Sequence, residues 1–113
     1  MKIFVPGRIC LLGEHSDWAG GYRRINADIE RGYALITGTN QGIYAEVEPH
    51  PTSLVLTSTS YDGTRHGPVE IPMEPKALLA EAERGGFWSY MAGVAYQVLT
   101  HYHVRGLVID NYQ

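Results

Sequence analysis

Residues 6–21 read PGRICLLGEHSDWAGG, an apolar run that ends at Gly13 and opens into a polar, glycine-rich loop. A strand end of this kind is a common place for a binding site, because the strand fixes the position of the loop and the loop supplies polar groups. The stretch carries one guanidinium, two carboxylates, one imidazole and one hydroxyl, which belong to Arg8, Glu14, Asp17, His15 and Ser16. We therefore take it as the main candidate for a functional site.

These residue types suit more than one chemistry. The carboxylates of Glu14 and Asp17 can accept hydrogen bonds from sugar hydroxyls, and Arg8 can stabilise negative charge on a phosphoryl group in transfer. The same stretch is also compatible with a solvated polar turn in which Asp17 caps a helix. Zinc is a third interpretation, but the stretch lacks the paired-histidine spacing of a metalloprotease helix and the chain has no pair of thiolates.

The first half of the chain predicts short strands separated by glycine-rich breaks. Two strands are expected before the loop, over residues 3–5 and 8–12, with Pro6 and Gly7 between them. Residues 18–32 are expected to form a long loop, with or without a short helix. Two more strands follow at residues 33–37 and 43–47, the second with a clear alternation of apolar and polar side chains, and residues 38–42 are expected to join them.

The second half predicts strands and two helices. Residues 54–57 form a strand, and residues 69–71 form a short edge strand. A helix starts at Pro75 and ends before Gly85, and a second helix over residues 87–101 carries one apolar stripe. A last strand covers residues 106–109. This order predicts an α+β fold, with a mixed or antiparallel sheet and helices on one face.

The composition limits the classes of protein that the chain can belong to. Its 113 residues, 44% of them apolar, fit one domain over residues 1–113. A net charge of −3 argues against a nucleic-acid partner, and no apolar run approaches the ~20 residues of a membrane helix. The single cysteine, Cys10, is expected to be a small buried residue and fits the cytoplasm. Because the chain stops soon after its last predicted strand, we expect it to be cut short and to self-associate through an exposed, incomplete core.

The stretch from Pro6 to Gly21 resembles the opening motif of galactokinases, which belong to the GHMP family of small-molecule kinases and read approximately PGRVNLIGEHTDYNGG. Two weaker similarities support this resemblance. Residues 32–47 are similar to the next strand pair of the family, and residues 87–94 are similar to the WxxYxxGV that opens a family helix. The resemblance implies the N-terminal part of the GHMP kinase fold.

The resemblance also implies an activity, the transfer of the γ-phosphoryl group of ATP, with magnesium, to a monosaccharide hydroxyl. By that resemblance Arg8 would lie near the reacting hydroxyl and help to polarise it. The substrate-binding residues would be Glu14, His15, Asp17, Gly20 and Gly21. No residue of the chain is assigned as a metal ligand.

Two departures from the family pattern qualify this activity. Residues 22–31 look like an insertion beside the sugar loop, which bears on the choice of sugar. The family's phosphate-binding loop would follow Ile109, with the catalytic aspartate further on, and both would lie beyond Gln113. We therefore expect the chain to be inactive by itself. The alternatives are a non-catalytic sugar-binding or regulatory module, a half-enzyme completed by another chain, and an unrelated α+β domain.

Overall fold

The computed structural model describes the backbone of residues 1–113 and every side chain except that of Asp17. Five strands form one sheet in the order β1-β2-β5-β3-β4. Their bounds are β1 Lys2–Leu12, β2 Leu35–Pro49, β3 Ser53–Thr59, β4 Arg65–Pro72 and β5 Leu107–Tyr112. Strand β5 runs antiparallel to β2 and parallel to β3, so the sheet is mixed. A 3₁₀ helix, Asp17–Arg24, and two α-helices, α1 Pro75–Glu83 and α2 Ser89–His101, complete an α+β fold.

The predicted break at Pro6 and Gly7 is wrong, because β1 continues through both residues. Strand β1 lies at the edge of the sheet, and an edge strand tolerates proline because its outward N–H groups have no partner strand. Gly7 allows a close approach to β2, since a Cβ at this position would lie 2.8 Å from the Thr39 Oγ1. Edge position and cross-strand contact are tertiary properties that local sequence does not reveal.

The predicted linker at residues 38–42 is also wrong, because β2 is a single strand from Leu35 to Pro49. Neither Gly38 nor Gly42 adopts the positive φ of a turn glycine. Within the linker, the Thr39 hydroxyl donates a hydrogen bond to the Gln41 carbonyl oxygen at 2.7 Å. Residues 44–49 of this strand pair with β5.

The core lies between one face of the sheet and the two α-helices. Leu54 and Leu56, two residues apart on β3, are almost fully buried, as is Leu78 of α1. The other buried apolar residues are Ile71, Met73, Ala92 and Ala95. The predicted helices therefore pack on one face of the sheet, and the predicted edge strand is the other sheet edge, β4.

The chain divides into two compact units, Val5–Ile43 and the remainder, Met1–Phe4 with Tyr44–Gln113. All of the buried residues belong to the second unit. In that unit a row of aromatic rings crosses three strands: Phe4 and Tyr44 are tilted with centroids 4.7 Å apart, and Tyr44 and Tyr112 are stacked with centroids 5.4 Å apart. Within Val5–Ile43, no described side chain is buried.

Helix α2 presents an uncovered apolar surface. Tyr90, Val94 and Tyr102 are 89%, 64% and 68% exposed. A groove of about 790 Å³ runs along this surface, and its lining includes Tyr90, Val94, Val98 and Tyr102. The helix contains no Asp, Glu, Lys or Arg, and none of the described helices is long and apolar enough to cross a membrane.

The core assignment predicts the effect of two leucine truncations. Leu56→Ala removes a fully buried side chain and is expected to lower the free energy of unfolding by about 2–5 kcal/mol. Leu79→Ala, at a position that is 41% exposed on α1, is expected to change it by about 0.5 kcal/mol. Urea titration followed by circular dichroism measures both variants, and equal losses would contradict the placement of the core.

Candidate functional site

The candidate site begins where β1 ends, at a glycine that no other residue can replace without strain. Gly13 has φ +81°, in the left-handed region that L-residues rarely adopt. A Cβ at Gly13 would also overlap the Tyr33 carbonyl oxygen, and it would lie 3.0 Å from the Ser16 Oγ. Both the conformation and the close backbone contact therefore require glycine at the turn out of β1.

Ser16 holds this turn together. Its hydroxyl lies 2.9 Å from the Gly13 carbonyl oxygen and 2.9 Å from the Tyr33 carbonyl oxygen, so it donates to one and lies beside the other. Its backbone N–H donates to the Gly13 carbonyl at 3.0 Å, and its carbonyl accepts from the Ala19 N–H at 3.1 Å. The 3₁₀ helix starts directly after this turn, so of the two predicted alternatives the loop with a short helix is present.

A small cavity brings two of the predicted site residues together. Arg8 and Glu14 line a cavity of about 110 Å³, with Cys10, Ala34 and Ile36 as the other lining residues. Arg8 and Cys10 are two residues apart on a strand, which puts both side chains on one face of β1. Sites for whole small molecules usually enclose about 300–1,000 Å³, so this cavity holds only part of a ligand.

Cys10, Ala34 and Ile36 had no functional role in the sequence interpretation. Side chains alternate between the two faces of a strand, so the sequence could have placed Cys10 on the same face as Arg8. It could not have shown that residues 34 and 36 lie next to them, because that depends on how the strands pair. The prediction that Cys10 is buried is wrong. It is partly exposed, and its Sγ donates to the Leu12 carbonyl oxygen at 3.2 Å.

The remaining predicted residues lie apart from this cavity. His15 is exposed in the turn and does not line the cavity. Gly20 and Gly21 are exposed in the 3₁₀ helix, and a Cβ on either would have no heavy atom within 4 Å. Neither has a positive φ, so the fold itself does not require glycine there. The side chain of Asp17 is not among the described side chains. Its predicted roles, as a helix cap and as a substrate-binding residue, therefore lie outside the described residues.

The segment that resembled an insertion, residues 22–31, completes the 3₁₀ helix and adds a turn. The rings of Tyr22 and Trp18 meet edge to face with centroids 5.4 Å apart, and both side chains are more than half exposed. After the helix, the Asn26 side-chain oxygen accepts the Asp28 N–H at 3.0 Å and closes a tight turn. Among the described residues, no group of three or more His, Cys, Asp and Glu is arranged to hold a metal ion.

The solved structures that resemble this fold include three kinases. Mevalonate kinase from Methanococcus jannaschii matches with a TM-score of 0.65 and 15% identity, over 98% of this chain and 31% of that chain. Another mevalonate kinase structure matches with a TM-score of 0.64 and 14% identity, over 98% and 32%. Galactokinase from Lactococcus lactis, solved with galactose, matches with a TM-score of 0.61 and 20% identity, over 98% and 25%.

These likenesses establish the fold. The chain has the architecture of part of these kinase structures, and the predicted α+β fold is confirmed. The chain spans about a third of the length of the two mevalonate kinases and a quarter of the galactokinase. No family model and no curated protein matches the sequence.

The turn out of β1 makes a testable contrast between two glycines. Gly13→Ala is expected to cost about 1–3 kcal/mol from backbone conformation alone, and the overlap with the Tyr33 carbonyl adds to this loss. Gly20→Ala, with open space around the new methyl group, is expected to change stability by about 0.5 kcal/mol.

Thermal unfolding measures the stability of both variants, and amide NMR spectra show whether residues 13–19 keep their environment. An altered amide signal at Ser16 is expected in Gly13→Ala only, since Ser16 is remote in sequence from Gly20 and bonds the Gly13 carbonyl. A Gly13→Ala variant with the stability and spectrum of the parent would contradict the described turn.

Proposed function

We propose, from the fold that this chain shares with mevalonate kinase and galactokinase, that it carries the sugar-binding part of a small-molecule kinase. The activity of the whole protein would be transfer of the γ-phosphoryl group of ATP to a monosaccharide hydroxyl. The observation that carries the proposal is the meeting of Arg8 and Glu14 at one cavity beside the end of β1. We place this activity in the cytoplasm, which suits a chain with one free cysteine.

The sequence motif, more than the fold, favours a sugar as substrate. The TM-scores to mevalonate kinase and galactokinase, 0.65 and 0.61, differ too little to choose between their substrates. The stretch from Pro6 to Gly21 resembles galactokinases in particular, and the galactokinase neighbour was solved with galactose. A monosaccharide presents several hydroxyls, and carboxylates accept hydrogen bonds from such groups. Residues 22–31 would then help to choose among sugars.

Each predicted residue has a role in this proposal. Glu14 accepts a hydrogen bond from a sugar hydroxyl, and Arg8, beside the same cavity, stabilises negative charge at the reacting oxygen. His15 and Asp17 contact further hydroxyls. Gly20 and Gly21, which have open space around them, let the backbone approach the sugar closely.

The described residues do not fit a site for ATP and magnesium. The sequence has neither GxxxxGK[ST] nor GxGxxG, and no described carboxylate cluster is arranged to bind a metal ion. We therefore assign the nucleotide site and the general base to residues outside 1–113, in a longer chain or in a partner that completes the enzyme.

A non-catalytic sugar-binding or regulatory module is the second candidate function. The observation in its favour is that the turn at Gly13 is closed by Ser16 and Tyr33, all within the chain itself. A site organised in this way does not need a nucleotide domain in order to keep its shape.

Saturation-transfer NMR against a panel of monosaccharides, including galactose and arabinose, tests the sugar site. One sugar is expected to receive selective saturation. Glu14→Gln is expected to weaken its binding by about tenfold to a hundredfold, because a hydrogen bond to a charged group contributes ~1.5–3 kcal/mol. The matched control is Glu48→Gln, which makes the same change at an exposed position of β2 and should leave binding unaltered.

Two results would contradict the proposed sugar site. Absence of transfer to every sugar from a well-folded chain would remove sugar binding from both candidate functions. Equal weakening by Glu14→Gln and Glu48→Gln would show that net charge, and not the Glu14 carboxylate, controls binding.

Self-association distinguishes a kinase part from an independent module. We propose that two copies pair through the groove on α2, because its exposed apolar side chains favour burial and its lack of charged residues avoids repulsion between identical faces.

Sedimentation velocity is expected to show association that rises with concentration, and Val94→Glu should shift the protein towards monomer. Thr100→Glu adds the same charge on α2 outside the groove lining and serves as the control. A monomer at every concentration would favour the module.

A further inference from the structure

A second cleft lies between the turn that joins β2 to β3 and the loop that joins α2 to β5. Its volume is about 640 Å³, within the range of about 300–1,000 Å³ that is typical of sites for small molecules. The lining residues are Pro49, His50, Pro51, His103, Val104, Arg105, Gly106 and Leu107. The proposed sugar-kinase function uses none of them.

The polar side chains that line this cleft are all basic, and each of them can donate a hydrogen bond. They are His50, His103 and Arg105, and the described lining contains no Asp or Glu. Glu48 precedes the cleft in sequence but does not line it. Because the chain as a whole carries a net charge of −3, this grouping runs against the overall charge and favours an anionic ligand.

The hydrogen bonds of His50 leave one ring donor available. Its Nδ1 accepts the Ser53 N–H at 2.9 Å and the Thr52 N–H at 3.3 Å. A neutral imidazole that accepts at Nδ1 carries its hydrogen on Nε2, which is then the donor. Arg105 adds the planar fork of N–H donors that suits the oxygens of phosphate groups.

The two segments that form the cleft are held together through their backbones. The His50 N–H donates to the Gly106 carbonyl oxygen at 3.0 Å. Gly106 is buried, and a Cβ there would lie 2.7 Å from the Ser53 nitrogen and 2.8 Å from the His50 carbonyl oxygen. Val104 packs against the core. The two residues that flank Arg105 are therefore held in place by packing and by a backbone hydrogen bond, while the Arg105 side chain is exposed.

We propose that this cleft binds a phosphate group, either as the free ion or as part of a small phosphomonoester. Three donor-bearing side chains line the cleft, and a phosphomonoester presents three terminal oxygens as acceptors. Backbone contacts hold their two segments in place before a ligand arrives, which reduces the entropy lost on binding. The cleft is large enough for an organic group beside the phosphate.

Side-chain NMR of the histidines and arginines tests this site with three probes at constant ionic strength: inorganic phosphate, glycerol 3-phosphate and glycerol. Saturable shifts of His103 and Arg105 with both phosphate-bearing probes, and none with glycerol, are expected. Tighter binding of glycerol 3-phosphate favours a phosphomonoester as the ligand, and tighter binding of inorganic phosphate favours the free ion. Equal binding shows that the phosphate group alone is recognised, so all three outcomes support a phosphate site.

Two arginine variants separate a built site from general charge. Arg105→Gln is expected to weaken phosphate binding at least about tenfold, since it removes a hydrogen bond to a charged group. Arg84→Gln removes the same charge at an exposed position after α1 and should leave binding unchanged. Unchanged amide spectra establish that both variants are folded. Absence of saturable shifts, or equal weakening by both variants, would overturn the proposal.

Discussion

The close contact between Gly13 and the Tyr33 carbonyl positions the candidate site. At this contact β1 is followed by a glycine whose φ lies in the left-handed region. Ser16 is placed so that its hydroxyl lies beside two backbone carbonyls. The 3₁₀ helix then starts from a fixed point, and Glu14 lies at the same cavity as Arg8. The hydrogen bonds of Ser16 to the Gly13 and Tyr33 carbonyls tie the polar residues after β1 to the backbone of residue 33. Glu14 thereby lines a small cavity with Arg8, in a unit that has no buried described side chain of its own.

Local signals in the sequence were sufficient for some elements. The helices α1 and α2, the strand β3 and the end of β1 at Gly13 followed from periodicity, from Pro75 and from glycine positions. The sequence did not predict that β1 and β2 are continuous strands. Proline and glycine usually interrupt a strand, but here β1 runs through Pro6 and Gly7, and β2 runs through Gly38 and Gly42. Tertiary context decided those cases.

The candidate site was predicted in part. Arg8 and Glu14 were singled out from their chemistry, and the structure brings them to one cavity. The lining residues Ala34 and Ile36 were missed because strand pairing, which puts them there, is a long-range property. Cys10 was placed in the core on residue preference, yet β1 is an edge strand and leaves the thiol partly exposed. The functional roles of all the predicted site residues stay predictions, and among the described side chains His15, Gly20 and Gly21 do not line the cavity.

The central claim is that the loop after β1 receives a sugar. Amide chemical-shift mapping of the ¹⁵N-labelled chain with saturating galactose, repeated with the sugar that binds best, tests it most directly. We expect shifts confined to Arg8, to residues 13–21 and to the neighbouring residues 33–36, with α1, α2 and β3 unchanged. Shifts centred on the groove of α2 or on the cleft at Arg105, with none at residues 13–21, would contradict it.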